Sequence, residues 1–327
     1  MILISQSEVQ KHLPMSKAIE AVRTAYSAFA RGRTQMPPVQ HLDVHQYRGE
    51  VDIKSGYVED FGLIGTKIAS GFYDNENLGL PPGVAVIVLM DLKTSMPLAI
   101  MDGTYITAYR TGAAGAVAAD VLARKDSSQV GVVGAGTQGR MQILALAELF
   151  NIERIKVWDI ESARAKQYAK EMRQKLGADV QTVDSPPDVV ADADILVTVT
   201  PSRKALINAD SIGEGLHINA IGADGPGKQE LDPMIMKRVS KIVADSLAQC
   251  RHIGELQHAF ALGIINEKDV HAEIGEILNG DKVGREDDDE ITLFDATGLS
   301  VQDIAAANIV YSIAKEKGLG QRVSLLG

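Results

Sequence analysis

Val130-Gly-Val-Val-Gly-Ala-Gly-Thr-Gln-Gly139 decides how the rest of the chain is read. An apolar run leads into Gly134, Gly136 and Gly139, the G-x-G-x-x-G spacing. Gly134 permits a tight turn out of a strand. Gly136 lets backbone approach a pyrophosphate with no Cβ in the way, and Gly139 lets the following helix sit close to the sheet. Thr137 and Gln138, within the turn, are expected among the cofactor-binding residues, since the new helix's N-terminal N–H groups and dipole favour an anion. A glycine-rich turn is common in isolation, so its surroundings matter. Val130 to Val133 reads as a buried strand, and Met141 to Phe150 as an apolar-rich helix. Ile155-Lys-Val-Trp-Asp159 is a second strand ending in an acid about 20 residues beyond the glycines, where a ribose-binding carboxylate belongs. The alternative for Asp159 is a plain turn residue. Ile160-Glu161-Ser162 follows it and Arg164 is the first cation, so NAD is favoured over NADP.

Downstream, strands are expected at 130–133, 155–158, 179–183, 195–199, 217–221 and 241–244, with helices between most of them. That alternation predicts a doubly wound parallel sheet with its ligand at the strand C-termini. Those ends carry Gly134, Asp159, Thr200-Pro201-Ser202 and Gly222-Ala-Asp224-Gly-Pro-Gly227. Arg285-Glu-Asp-Asp-Asp-Glu290 reads as a solvated loop rather than a metal site. Ile291 to Asp295 is a strand, and Val301 to Lys315 a helix expected to pack back on the N-terminal domain.

Upstream, Ile19, Val22, Tyr26 and Phe29 recur at helical spacing over Met15 to Phe29, with Ser16 a candidate N-cap. Met36-Pro-Pro38 then breaks the pattern. Strands follow at 42–47, 51–54, 63–69, 84–90 and 97–101, with a turn at Arg48-Gly49-Glu50 and a loop at 74–83. Adjacent strands with hairpin turns suggest an antiparallel sheet in a separate domain. Tyr109 to Leu122 is a small-residue helix, with Arg110 and Thr111 placed near its start, where an anion could be held.

The fold class is therefore α/β, a Rossmann doubly wound parallel sheet plus a discontinuous α+β domain. Residues 119–299 would form the first, and 1–118, completed by the helix within 300–327, the second. At 327 residues two domains are reasonable. A net charge of −10 argues against a nucleic-acid binder. The single cysteine, Cys250, excludes an internal disulfide framework. Neither a secretory signal nor a membrane-spanning apolar run is evident, and the cytosol is the simplest location.

Lys67 lies mid-strand among apolar neighbours, so it either snorkels to the surface or points into a cleft. Arg110 has the fork that suits a carboxylate. Asp224, in a glycine-rich turn after a central strand, could exchange a proton or simply form an Asx turn. His41, His45, His217 and His271 lack metal-ligand spacing and read as structural or exposed.

Arg110-Thr-Gly-Ala-Ala-Gly115, Gly134-Ala-Gly-Thr-Gln138, Thr200-Pro-Ser202, His217 to Asp232 and Ile291 to Gly298 together resemble the ornithine cyclodeaminase/mu-crystallin family. The resemblance covers nearly the whole chain and points most to the archaeal-type alanine dehydrogenase branch. It implies a homodimer built through the N-terminal sheet domain and a Rossmann domain carrying NAD(P). It also implies that Lys67 and Arg110 bind the substrate carboxylate or carbonyl, that Asp224 handles the proton, and that Thr111, Asp295 and Thr297 lie near the cofactor. Two departures stand out. Val39 and Gln40 occupy the place after Met-Pro-Pro where the family often has a basic residue. A position that reads the substrate side chain, acidic in ornithine cyclodeaminases, aligns with Lys54, though Glu50 is close enough to blur the register. Lys54 would suit a second carboxylate, as in iminosuccinate or oxaloacetate.

The expected activity is an NAD(H)-dependent oxidoreductase interconverting a small amino acid and its imino or 2-oxo acid, like an alanine dehydrogenase or an imine reductase. Two alternatives stand beside it. One is an ornithine cyclodeaminase-type ammonia lyase with catalytic NAD. The other is a mu-crystallin-like protein that holds NAD(P) and a ligand with little turnover.

Overall fold

The computed structural model describes residues 1–325. The chain forms two compact units, one of residues 111–298 and a discontinuous one of residues 1–110 with the stretch from Leu299 onward. The division falls after Arg110, inside the helix Thr104–Leu122.

The continuous unit is built on eight parallel strands. Their spatial order is Asp179–Thr182, Arg154–Trp158, Gln129–Val133, Ile195–Thr198, His217–Ala220, Thr292–Asp295, Lys241–Ala244 and Val270–Glu273. The strand order reverses between Gln129–Val133 and Ile195–Thr198, the switch point at which such sheets open a crevice beyond their carboxyl ends. All six strands expected from the alternation are present. Thr292–Asp295 inserts between the fifth and the sixth, and Val270–Glu273 adds an edge. Their apolar content, with Leu293, Phe294 and Ala272 buried, fits a sheet covered on both faces. Gly115 and Gly131 mark close packing. A Cβ at Gly115 would lie 1.9 Å from the Gln142 side-chain oxygen, and one at Gly131 2.6 Å from the Val189 carbonyl oxygen.

The acidic run is only partly solvated. Arg285 donates to the carbonyls of Leu122 and Glu290, and Glu290 pairs with Lys241 at 2.9 Å. Among the described residues no group of three His, Cys, Asp or Glu could hold a metal ion.

In the discontinuous unit the strands run Gln321–Arg322, Ile2–Ile4, Pro97–Asp102, Gly83–Asp91, Leu63–Phe72, Gly49–Val58 and Thr34–Gln35, with Gln40–Val44 also paired to Gly49–Val58. Pairing is antiparallel except between Ile2–Ile4 and Pro97–Asp102. Helices Met15–Ala30 and Ser300–Lys317 pack on one another, and the second lies on the central strands. Its approach is close, because a Cβ at Gly65 would lie 2.4 Å from Ile304 Cγ1. Residues 63, 65, 67, 85, 87 and 89 face these helices and are buried, whereas Ile68, Val84 and Val86 on the opposite face are exposed.

Several local expectations need correction. Pro14, not Ser16, occupies the N-cap of Met15–Ala30, and it makes no side-chain cap bond. A short helix, Gln6–His12, precedes it with a Ser5/Glu8 capping box. The turn expected at 48–50 is a 3-10 turn, His45–Tyr47, closed by Arg48 at a φ of +46°, and Gly49 already belongs to the next strand. The small-residue helix begins at Thr104, where the Asp102 carboxylate accepts the Tyr105 N–H at 2.8 Å. Arg110 and Thr111 therefore sit in its second turn, where their N–H groups serve the helix itself. Among the described residues no helix is long and apolar enough to cross a membrane.

His217, in a central strand, is fully buried between the Thr292 hydroxyl at 2.9 Å and the Asn219 side-chain oxygen at 3.0 Å. Burial pushes its pKa down to about 3 from 6.5. The folded chain refuses a proton that the unfolded chain accepts. This group's contribution to stability is thus full above pH 6.5 and is lost as pH falls toward 3. His217→Asn should flatten the acid limb of stability measured by urea denaturation between neutral pH and about pH 4, and an unchanged limb would refute the assignment. Gly65→Ala should destabilise the discontinuous unit by about 1–3 kcal/mol through overpacking against Ile304, read as a lower Tm.

Candidate active site

At the switch point the turn after Gln129–Val133 forms one wall of a cavity of about 390 Å3. Gly134, Gly136, Asp159, Thr200, Pro201 and Ser202 all line it. Gly134 has a φ of +110°, and an added Cβ would lie 3.0 Å from both Thr200 Cγ2 and the Val199 carbonyl oxygen. Gly139 would place a Cβ 2.2 Å from the Gly134 carbonyl oxygen, so it lets the helix Thr137–Leu146 start tightly against the turn. At Gly136 a Cβ would meet nothing within 4 Å. Internal packing therefore makes no demand for glycine there, and the position is open to a ligand.

Gly136 is the N-cap of the helix that follows, and no side chain caps that end. Thr137 is its first residue, and the Gln138 Oε1 is shielded from solvent with no hydrogen-bond partner among the described residues. Arg140 donates to the carbonyls of Ala135 and Gly136 while pairing with Glu171 at 2.7 Å. The sequence reading passed over this clamp on the glycine turn. Asp159 accepts the N–H of Ala135 at 2.9 Å on one oxygen and that of Glu161 at 2.9 Å on the other. It is thus tied to the turn and keeps lone pairs for further donors. Arg164, on the rim, pairs with Glu161 at 2.8 Å.

The loops after the next strands rest on carboxylates that the sequence reading did not single out. Glu230 accepts the N–H of Thr200 at 2.6 Å and that of Gly222 at 3.1 Å. Glu255 accepts the N–H groups of Glu230 and Leu231, and Asp295 those of Glu255 and Leu256, each at 3.0 Å for the second pair. Burial pushes Glu230 and Asp295 up to about 7. Burial, then the neighbouring Glu230, raises Glu255 well above the usual range. Asp295 is fully buried and Thr297 nearly so, its hydroxyl donating to Asp245 at 3.4 Å. Neither lines the cavity beside Gly134. Thr111 is buried too, its carbonyl accepting from Gln142 at 2.8 Å. Asp224 stands on the glycine-rich turn with its side chain half exposed, paired to Lys228.

In the discontinuous unit Lys67 and Arg110 converge on one carboxylate, Asp303 of the helix Ser300–Lys317. Lys67 Nζ is 2.9 Å from Oδ1 and 2.8 Å from Oδ2, and Arg110 Nε is 3.0 Å from Oδ1. All three are buried, at 3%, 6% and 1% exposure, so the reading in which Lys67 snorkels to the surface is wrong. Arg110 Nη1 reaches Gln302 at 3.5 Å, and Nη2 makes no hydrogen bond among the described residues. Burial, then the Arg110 charge, brings Lys67 down to about 7 in spite of Asp303. Burial alone would raise Asp303, but the Lys67 and Arg110 charges hold it below the usual range. Strand register places Lys54 directly opposite Lys67, and Glu50 opposite Gly71 farther along the hairpin. Lys54 is therefore the neighbour of the trio. Asp303 lies in the first turn of its helix, a position that reads from sequence as a helix-dipole acid.

A profile of the ornithine cyclodeaminase/mu-crystallin family matches residues 1–318. The chain is 43% identical to an alanine dehydrogenase of Archaeoglobus fulgidus over 98% of both chains. It superposes on an archaeal alanine dehydrogenase dimer with bound NAD at a TM-score of 0.94, with 41% identity, covering 100% of this chain and 99% of that one. It superposes on the iminosuccinate reductase of Paracoccus denitrificans in complex with NAD+ at a TM-score of 0.93, with 32% identity over 99% of both. With the family profile spanning nearly its full length, the chain belongs to the ornithine cyclodeaminase/mu-crystallin family.

Proposed function

We propose that the protein is an NAD(H)-dependent oxidoreductase that interconverts a small amino acid and its imino or 2-oxo acid. The observation that carries this is the buried Lys67–Asp303–Arg110 set, in a chain that also builds a dinucleotide cleft ending in Asp159. The uncapped helix start at Thr137 would receive the pyrophosphate, and Asp159 the ribose diol. A 2′-phosphate would face that carboxylate, with Arg164 already engaged by Glu161, which favours NAD. Relatives solved with NAD and NAD+ support this choice.

Nicotinamide, when bound, supplies or accepts the hydride. The chain's own residues do the rest. Arg110 presents its unengaged Nη2 edge to the substrate carboxylate. Lys67, held near neutrality, can both polarise an oxo or imino group and hold its proton. Asp224 exchanges the proton at the substrate nitrogen or oxygen. Lys54, opposite Lys67, accepts a second carboxylate on the substrate side chain. A cationic neighbour there opposes the distal ammonium of ornithine, so the cyclodeaminase reading falls behind. The exposed apolar sheet face with Ile68, Val84 and Val86 serves a homodimer, and the cytosol suits an NAD-linked activity.

The test is NADH oxidation with ammonia across pyruvate, glyoxylate, oxaloacetate and cyclic imines, with ornithine plus NAD assayed separately for proline. Consumption with an oxo acid or imine is expected. Proline formation without net NADH change would overturn the reading. Asp224→Asn should leave the NADH Kd nearly unchanged and lower kcat by about 10²–10⁴. Parallel loss of both would mean that Asp224 is structural. Lys54→Ala should raise KM for a dicarboxylic substrate by about tenfold while sparing pyruvate, and equal effects on both would remove Lys54 from substrate recognition.

A further inference from the structure

We propose that Glu230 is a positioning residue for the cofactor, its carboxylate tying the cavity wall at Thr200 to the turn that carries Asp224. The inference rests on the cofactor assignment above.

Thr200 and Gly222 follow two neighbouring parallel strands, Ile195–Thr198 and His217–Ala220. Just past the last paired residues Val199 still donates to the Val133 carbonyl and Ile221 to that of Thr198, but the next amides, Thr200 and Gly222, have no backbone acceptor among the described residues. Glu230 accepts from both, one oxygen for each loop. The fit is tight, since a Cβ at Gly222 would lie 2.2 Å from Glu230 Oε2 and 2.5 Å from the Thr200 carbonyl oxygen. Glycine at 222 is therefore a condition of the clamp.

Glu230 is itself held in place. It lies on the short strand Gln229–Leu231, paired with Arg203–Ile207 and anchored by Glu255 through two backbone N–H groups. Asp295 in turn anchors Glu255.

A fully buried carboxylate with no cation bonded to it is a costly way to fill space. An apolar residue would pack more cheaply. Only a carboxylate offers two acceptor oxygens, far enough apart to engage amides from two different loops and carrying no competing donor when ionised. One of those loops lines the cavity, and the other places Asp224 two residues beyond the bonded amide. Glu230 touches neither cofactor nor substrate in this scheme. It sets the spacing of the groups that do.

The experiment uses the full chain with Glu230→Gln, Glu230→Met and Gly222→Ala. NADH affinity is read by fluorescence titration without substrate, followed by kcat, the KM for the oxo acid at saturating NADH, and Tm. Glutamine retains one acceptor oxygen and methionine none, so the effects should be graded. Glu230→Gln should raise the NADH Kd by about tenfold and Glu230→Met by more. In both, kcat should fall while the KM for the oxo acid stays near the wild-type value. Gly222→Ala should reproduce the Kd increase with Glu230 intact. Combined with Glu230→Gln it should add less than the product of the single effects, because both disturb one contact.

An unchanged NADH Kd in folded Glu230→Gln would overturn the proposal. So would equal losses of affinity and Tm in the Gln and Met variants, which would mark simple scaffolding. If neither Glu230 variant folds, Gly222→Ala decides alone, and an unchanged Kd in it overturns the proposal. Wild-type protein that fails to bind NADH would defeat the cofactor assignment and this inference together. Wild-type binding with insensitive variants would defeat this inference only.

Discussion

Two cations cannot be left in an apolar interior without an anion beside them, and Asp303 is that anion. Lys67 comes from a central strand, Arg110 from the second turn of a helix, and Asp303 from a helix almost at the other end of the chain. Removing one partner from such a buried set costs about 3–5 kcal/mol, because the remaining charges stay desolvated. The trio therefore helps to fix where the chain must return after the parallel sheet is finished. The discontinuity of the unit that holds residues 1–110 is, in this light, an electrostatic requirement as well as a packing one. Gly65 supplies the steric half of the same requirement by letting Ile304 press against the sheet.

The continuous unit solves the opposite problem. Its buried acids Glu230, Glu255 and Asp295 are answered by backbone N–H groups rather than by side-chain cations. Such amides are fixed dipoles, and they stabilise a carboxylate without bringing another mobile charge into the interior. That leaves part of the desolvation cost standing, which is why burial still raises all three acids. The cost is concentrated at the loops that follow the sheet's carboxyl ends. This is where irregular backbone must be held without the help of a strand ladder.

The glycine turn, the acid after the second strand and the six expected strands were legible because each depends on neighbours within a few residues. Period, spacing and turn chemistry carry that information directly. The helix start was misread by several residues because Thr104 to Thr107 gives no strong capping signal, and the cap comes from Asp102 at the end of a strand. The insertion of Thr292–Asp295 between two earlier strands was invisible, since nothing local in Leu293 or Phe294 says which ladder they join. Asp303 was missed for a similar reason. An acid in a first helical turn is normal, and only the fold shows that two cations from distant segments meet it. Asp295 and Thr297 entered through resemblance alone, and the structure gives them buried, load-sharing bonds to backbone and to Asp245.

The position of Lys67 near neutrality also bears on how charge would move when a substrate arrives. Burial and Arg110 oppose its proton more strongly than Asp303 favours it, and the net effect brings the group down to about 7. A substrate carboxylate placed against Arg110 adds a negative charge to that balance and so favours the ammonium form. Binding of such an anion and uptake of a proton at Lys67 would then be linked. Asp303 sets that balance, because without it nothing in the trio would offset burial and Arg110, and Lys67 would hold its proton less well still. A single buried carboxylate shared by two cations thus leaves Lys67 easier to deprotonate than an ordinary lysine while keeping it in the interior.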